Sequence, residues 1–182
     1  MTSIMDPVGT AHPSTQQPTF CRASVWCGTV ETGYERAGRG DTIVVLAARD
    51  WRGAPALFPT LARDFRLIVP ELDRPHAAPG ERPPFAVWLT AFLDGLGLES
   101  VTLLADERFG GAALGSATIE PMRVARLVVV LDARDTDHPL ATTETTLCGT
   151  GTKLCVTWLG TDLESSASEV AAALLGGRRP PG

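Results

Sequence analysis

Apolar residues in this chain arrive in short unbroken bursts separated by polar turns. Thr42-Ile-Val-Val-Leu-Ala-Ala48, Arg66-Leu-Ile-Val-Pro-Glu-Leu-Asp73, Val101-Thr-Leu-Leu-Ala105, Arg123-Val-Ala-Arg-Leu-Val-Val-Val-Leu-Asp132 and Leu154-Cys-Val-Thr-Trp-Leu-Gly-Thr-Asp162 are the main ones. Continuous rather than alternating apolar runs predict strands buried on both faces, as in a parallel sheet. The segments between them switch to helical spacing. Leu57, Phe58, Leu61 and Phe65 mark a helix over Pro55 to Phe65, and Phe85, Trp88, Leu89, Phe92, Leu93 and Leu96 one over Phe85 to Gly97. Gly97 is suited to the helix C-terminus. Further helices are expected from Phe109 to near Pro121 and from Ser165 to Leu175. Arg22 to Glu35 reads as two strands turning near Gly28 or Gly33. Strands alternating with helices in this order predict an α/β fold: a mostly parallel, doubly wound sheet flanked by helices.

The 182 residues suffice for one domain with a real core. Residues 1–20, rich in Thr, Ser, Pro and Gln, read as a disordered leader, 21–176 as the domain and 177–182 as a flexible tail. A net charge of −5 argues against nucleic acid or an anionic membrane as the main partner. The sequence shows no run of 18 apolar residues and no signal-peptide pattern, which points to a cytoplasmic protein. In that setting Cys21, Cys27, Cys148 and Cys155, which lack C-x-x-C spacing, are expected as thiols. No metal or cofactor is called for.

The candidate chemistry centres on Val101 to Gly115. A buried strand, a tight turn carrying Asp106, Glu107 and Arg108, and a helix opening at Phe109-Gly110-Gly111 make the layout of a nucleophile elbow. Gly110 and Gly111 would let the helix pack close to the sheet. The turn holds no serine, cysteine or histidine. The stretch resembles the elbow of the α/β-hydrolase superfamily, in which Leu-Val-Gly-His-Ser-Phe-Gly-Gly precedes the helix. Aligned on Phe109-Gly110-Gly111, the nucleophile position falls on Arg108. Aligned on Ala105 it falls on Glu107, and a further slip reaches Asp106. An arginine stays protonated and cannot be a nucleophile.

Other segments carry the same resemblance in order. The Gly38-Arg39-Gly40-Asp41 turn leads into a strand that in the superfamily ends in His-Gly, where this chain has Ala47-Ala48-Arg49-Asp50-Trp51. The strand ending in Asp73, the Arg123 to Asp132 strand and the strand reaching Asp162 also have counterparts, and His76 matches a loop histidine that is usually structural. The resemblance covers about residues 22 to 175 and implies a small α/β-hydrolase-like domain. It implies no helical lid, and no counterpart to the closing strand and Gly-His turn that complete a Ser-His-Asp triad.

Ligands of open α/β sheets bind outside the carboxyl ends of the strands. Those ends are expected to present Arg49, Asp50 and Trp51; Asp73; Asp106, Glu107 and Arg108; Asp132 and Asp135; and Asp162, with His138 near Asp135. Closely spaced carboxylates push one another's pKa apart, which suits acid–base work. Asp106, Glu107, Arg108, Asp132 and Asp162 are therefore the candidate catalytic groups. Arg49, Asp50, Trp51, Asp135 and His138 are the candidate substrate-binding groups. The reading is a non-hydrolytic enzyme acting on a small organic molecule by cyclisation, dehydration or lyase chemistry. The alternative is a pseudoenzyme, a binding or scaffold protein whose uncovered sheet edge is closed by a homodimer or a second protein.

Overall fold

The computed structural model describes residues 18–51, 53–72, 84–132, 153–159 and 163–175. Seven strands among them form one sheet in the order β1-β2-β4-β3-β5-β6-β7. β1 (Cys21–Cys27) and β2 (Val30–Ala37) make an antiparallel hairpin whose turn uses Gly28 at a φ of 66°. β2 pairs antiparallel with β4 (Arg66–Pro70). The rest is parallel: β4 beside β3 (Thr42–Leu46), then β5 (Val101–Asp106), β6 (Val124–Asp132) and β7 (Lys153–Leu159). The mostly parallel α/β architecture read from the apolar runs is the one observed.

Side-chain alternation along the central strands divides the core into two layers. Val44 and Leu46 of β3, Leu103 and Ala105 of β5, and Leu127, Val129 and Leu131 of β6 face one side. There they meet α2 (Phe85–Gly95) through Leu89, Phe92 and Leu93, and α3 (Glu107–Ile119) through Ala113 and Ala117. Ile43, Val45, Leu104, Val128 and Val130 face the other side, against Leu57 and Leu61 of α1 (Ala54–Leu61) and Val170 and Leu174 of α4 (Leu163–Leu175). Every strand of the centre is thus apolar on both faces, which is why its sequence shows no period of two.

Element ends differ from the sequence reading in informative ways. β4 stops at Pro70 rather than Asp73, and α1 stops at Leu61 rather than Phe65. α2 ends at Gly95, with Gly97 following at a φ of 65°, the left-handed geometry that closes a helix. α3 begins at Glu107, two residues before the expected Phe109. Gly110 is buried in α3, but a side chain at Gly111 would meet open space, so close packing explains only the first of the pair. Phe20, assigned to the leader, packs its ring against that of Phe58 in a tilted pair with centroids 6.4 Å apart. Trp88, expected only as apolar filling, also donates its Nε1–H to the buried Thr32 hydroxyl at 3.1 Å, tying α2 to β2.

Candidate functional site at the mouth of the sheet

The junction of β5 and α3 is built around Asp106. Asp106 is the last residue of the strand and the N-cap of the helix, with extended backbone and 1% of its surface exposed. Its Oδ1 accepts the amides of Arg108 at 3.0 Å and Phe109 at 3.1 Å. Its Oδ2 accepts the amide of Ala48 at 2.7 Å, from the loop after β3. An aspartate at an N-cap satisfies orphan helix amides and sits in the favourable end of the helix dipole. Burial pushes its pKa up, against the pull of the Ala48, Phe109 and Arg108 amides and the Arg108 charge.

This geometry corrects the expectation of a separate tight turn. The strand passes directly into the helix, with Glu107 as the first helical residue and Arg108 already inside it. An elbow nucleophile stands on a strained turn, yet among the described residues only glycines have positive φ. The physical reason is the Asp106 carboxylate: by capping two amides it lets the helix start at once, so nothing is left over to make an elbow. Of the three positions weighed for the nucleophile, Asp106 is buried, Glu107 half-buried and Arg108 exposed.

β3 and β5 lie side by side but send their following helices, α1 and α3, to opposite faces of the sheet. Such a pair opens a crevice at its carboxyl ends. Asp50 and Arg108 meet across it in an ion pair, Asp50 Oδ1 accepting from Arg108 Nη2. The hydrogen bond from Arg108 holds the Asp50 carboxyl below its ordinary pKa. Both side chains are well exposed, so the pair ties the rim together more than it stabilises the fold. Trp51 meets Phe58 in a tilted ring contact with centroids 6.0 Å apart and covers the α1 side of the core.

A cavity of about 250 Å³ opens beside this crevice, at the ends of β3 and β4. Ala47, Ala48, Ala54, Phe58, Val69, Pro70 and Leu72 give it apolar walls, while Glu35, Arg49 and Glu71 bring charge to it. Arg49 was a candidate from sequence; Glu35 and Glu71 were not. Because β4 ends at Pro70, the carboxylate at its end is Glu71 and not Asp73. The available signal was Gly33, a glycine inside a strand, which often marks close approach of another group. A Cβ on Gly33 would lie 2.9 Å from Glu71 Oε2. Glu35 pairs with Arg22 across the hairpin at 2.9 Å.

The remaining candidates are less fully placed. Asp132 ends β6, with its backbone paired to Leu159 of β7. Asp73, His76, Asp135, His138 and Asp162 lie outside the described residues. So does Cys148, while Cys21 is an exposed thiol and Cys27 a buried one. No helix among the described residues is long and apolar enough to cross a membrane.

No family model matches the sequence. The 2-hydroxy-6-oxo-2,4-heptadienoate hydrolase of Pseudomonas putida is 28% identical over 117 residues, 58% of this chain and 42% of that protein. Among solved structures, a carboxylesterase from Bacillus subtilis superposes with a TM-score of 0.56 at 20% identity, over 64% of this chain and 45% of that one. The 2-hydroxy-6-oxo-6-phenylhexa-2,4-dienoate hydrolase of Rhodococcus sp. strain RHA1 gives 0.52 at 16%, over 62% and 46%. Epoxide hydrolase A of Mycobacterium thermoresistibile gives 0.53 at 19%, over 62% and 39%. The fold is that of the α/β-hydrolases. This chain spans 42% of the length of the curated relative and less than half of each of these solved chains. Within the α/β-hydrolase fold, the β5–α3 junction is where the nucleophile elbow would stand, and here it carries the Asp106 cap.

Proposed function

We propose that this chain acts on a small organic molecule held in the cavity at the ends of β3 and β4, by acid–base chemistry. The cavity itself carries the reading: it is concave, mostly apolar, placed at the carboxyl ends of a parallel sheet, and supplied with a few charged groups. Arg49 offers a guanidinium suited to a carboxylate or a polarised carbonyl. Glu71 and Glu35 offer carboxylates that can take or return a proton. The hydroxy-oxo acid named for the Pseudomonas putida relative is the kind of molecule that has both a carboxylate for Arg49 and an acidic position for Glu71. Cyclisation, dehydration or carbon–carbon lyase steps suit these groups, since none needs an acyl-enzyme. Glu107, Asp132 and Asp162 stand as further acid–base candidates, and Arg108 as a further cation suited to a carboxylate or a polarised carbonyl.

The test is ligand-observed NMR with a panel of small hydroxy-oxo acids and their esters. Binding by the wild-type protein that Arg49→Ala abolishes, with product formation that Glu71→Gln abolishes while binding persists, is the expected outcome. If none of the acids binds, or if Arg49→Ala binds as well as wild type, the reading is wrong. Binding without turnover would favour a binding protein over an enzyme.

A further inference from the structure

We infer that the free edge of β1 is a pairing surface for a second copy of this chain, whose own β1 runs antiparallel to it across a two-fold axis at Ser24. The inference stands apart from the reading of the cavity. Among the described strands β1 pairs with β2 alone and forms one edge of the sheet. An edge strand offers a row of unpaired amides and carbonyls, which proteins blunt with lysine, proline or a bulge. β1 has none of these, and its seven residues pair with β2 in unbroken register. Which of its groups face outward follows from β2. Gly33, opposite Ser24, gives its carbonyl to the Glu71 amide, on the side away from β1. Residues facing each other in an antiparallel pair alternate between bonded and non-bonded. Ser24 therefore sits in a non-bonded pair, and its amide and carbonyl, with those of Arg22 and Trp26, point to the free edge.

The side chains of these outward residues fit the same occupant. Arg22, Ser24 and Trp26 share the face of the hairpin that carries Glu31 and Glu35, since Ser24 bonds to Glu31 and Arg22 to Glu35. Ala23, Val25 and Cys27 take the other face, against the core under α2. With Ser24 opposite its own copy, Arg22 falls opposite the second copy's Trp26, and Trp26 opposite the second copy's Arg22. Trp26 is 65% exposed, a large apolar surface left mostly in water. A guanidinium over an indole face is favourable. Each arginine then lies between Glu35 of its own hairpin and the ring of the other copy, with that copy's Glu31 beyond the ring. The two-fold axis repeats this charge complementarity at both ends of the contact. On the other face Ala23 meets the second copy's Val25, which carries the apolar layer across the axis. α2 approaches this edge at Gly95, where a Cβ would lie 3.3 Å from the Trp26 carbonyl oxygen, so the glycine leaves that acceptor uncovered. Contacts of this self-complementary kind are the commonest basis of dimers.

Sedimentation equilibrium over a concentration series tests the pairing, with circular dichroism as the check that each variant is folded. Ser24→Pro removes an outward amide and no bond to β2, the setting in which an edge strand accepts proline. The expected result is a reversible dimer for wild type and a folded monomer for Ser24→Pro. Trp26→Lys sets like charge against the second copy's Arg22 and Trp26→Glu sets opposite charge, with the same ring lost from both. Cross-strand pairs favour opposite charge, so Trp26→Lys should dissociate about tenfold more readily than Trp26→Glu. Wild type that stays a monomer throughout the series overturns the inference. So does a dimer that Ser24→Pro leaves intact, which would put the contact on another surface. If Ser24→Pro does not fold, the two Trp26 variants decide: equal dissociation refutes the pairing, and the expected difference supports it.

Discussion

Replacing Gly33 by alanine separates the cavity's chemistry from the stability of the fold. An added Cβ would lie 2.9 Å from Glu71 Oε2 and 3.1 Å from its Cδ. Both atoms end a flexible side chain, so the carboxylate swings aside without disturbing backbone. Gly33 lies in β2 outside the left-handed region, and alanine there restricts the unfolded chain, a gain of about 0.4–1 kcal/mol. Set against the cost of moving one carboxylate, the net change in stability is within about 1 kcal/mol, or roughly 2–4 °C in Tm for a protein of this size. The cavity, by contrast, loses the placement of Glu71. Gly38→Ala provides the contrast: at a φ of 78° its Cβ would overlap the carbonyl oxygens of Phe65 and Ala62, which cannot rotate away. Strain of about 1–3 kcal/mol for the backbone alone, with the overlap added, predicts clear destabilisation. Urea unfolding with unchanged m-value measures both variants, and product formation followed by NMR measures the cavity. A Gly33→Ala protein destabilised by more than about 2 kcal/mol, well beyond the normal range for such exchanges, would refute the argument. So would one that converts the acids as fast as wild type does.

Other perturbations test the layers separately. Phe92→Ala removes a fully buried ring that stacks 5.3 Å from Trp88 and meets Tyr34 edge-on at 5.9 Å; a loss of about 3–5 kcal/mol in urea unfolding is expected. Arg108→Gln removes the partner that lowers the Asp50 pKa, so carboxyl NMR should show Asp50 titrating higher, with global stability unchanged. For Asp106 the folded pKa is raised, burial being the main cause. Its contribution is then fully present below the unfolded value of about 3.9 and is lost as pH rises through the folded value. Wild-type stability measured relative to Asp106→Asn should fall from about pH 4 upward and then level off; a difference that climbs over this range would reverse the assigned direction.

The fold was legible because its central strands are buried on both faces. Runs such as Thr42 to Ala48 and Arg123 to Asp132 have no other reading once helical stretches alternate with them. What the runs could not show is where each ends. Pro70 terminates β4 before Glu71, although the apolar Leu72 continued the pattern to Asp73. Strand order was also beyond periodicity: that β4 lies between β2 and β3 is a matter of pairing over distance, and it is this placement that brings Glu71 over Gly33.

The mouth of the sheet shows a different limit. Asp106, Arg108, Asp50 and Arg49 were all visible as charges at strand ends, but their identity says nothing of what each is bonded to. For the nucleophile position, Asp106 requires the largest slip in alignment of the three. The structure makes it the residue around which the junction is built, because a buried carboxylate with three amide donors is both a helix cap and the link between β3 and β5. A helix that starts on its own cap leaves no strained turn on which to expose a nucleophile. Any chemistry at this mouth is therefore sought in groups other than Asp106, and Arg49 and Glu71 line the adjoining cavity.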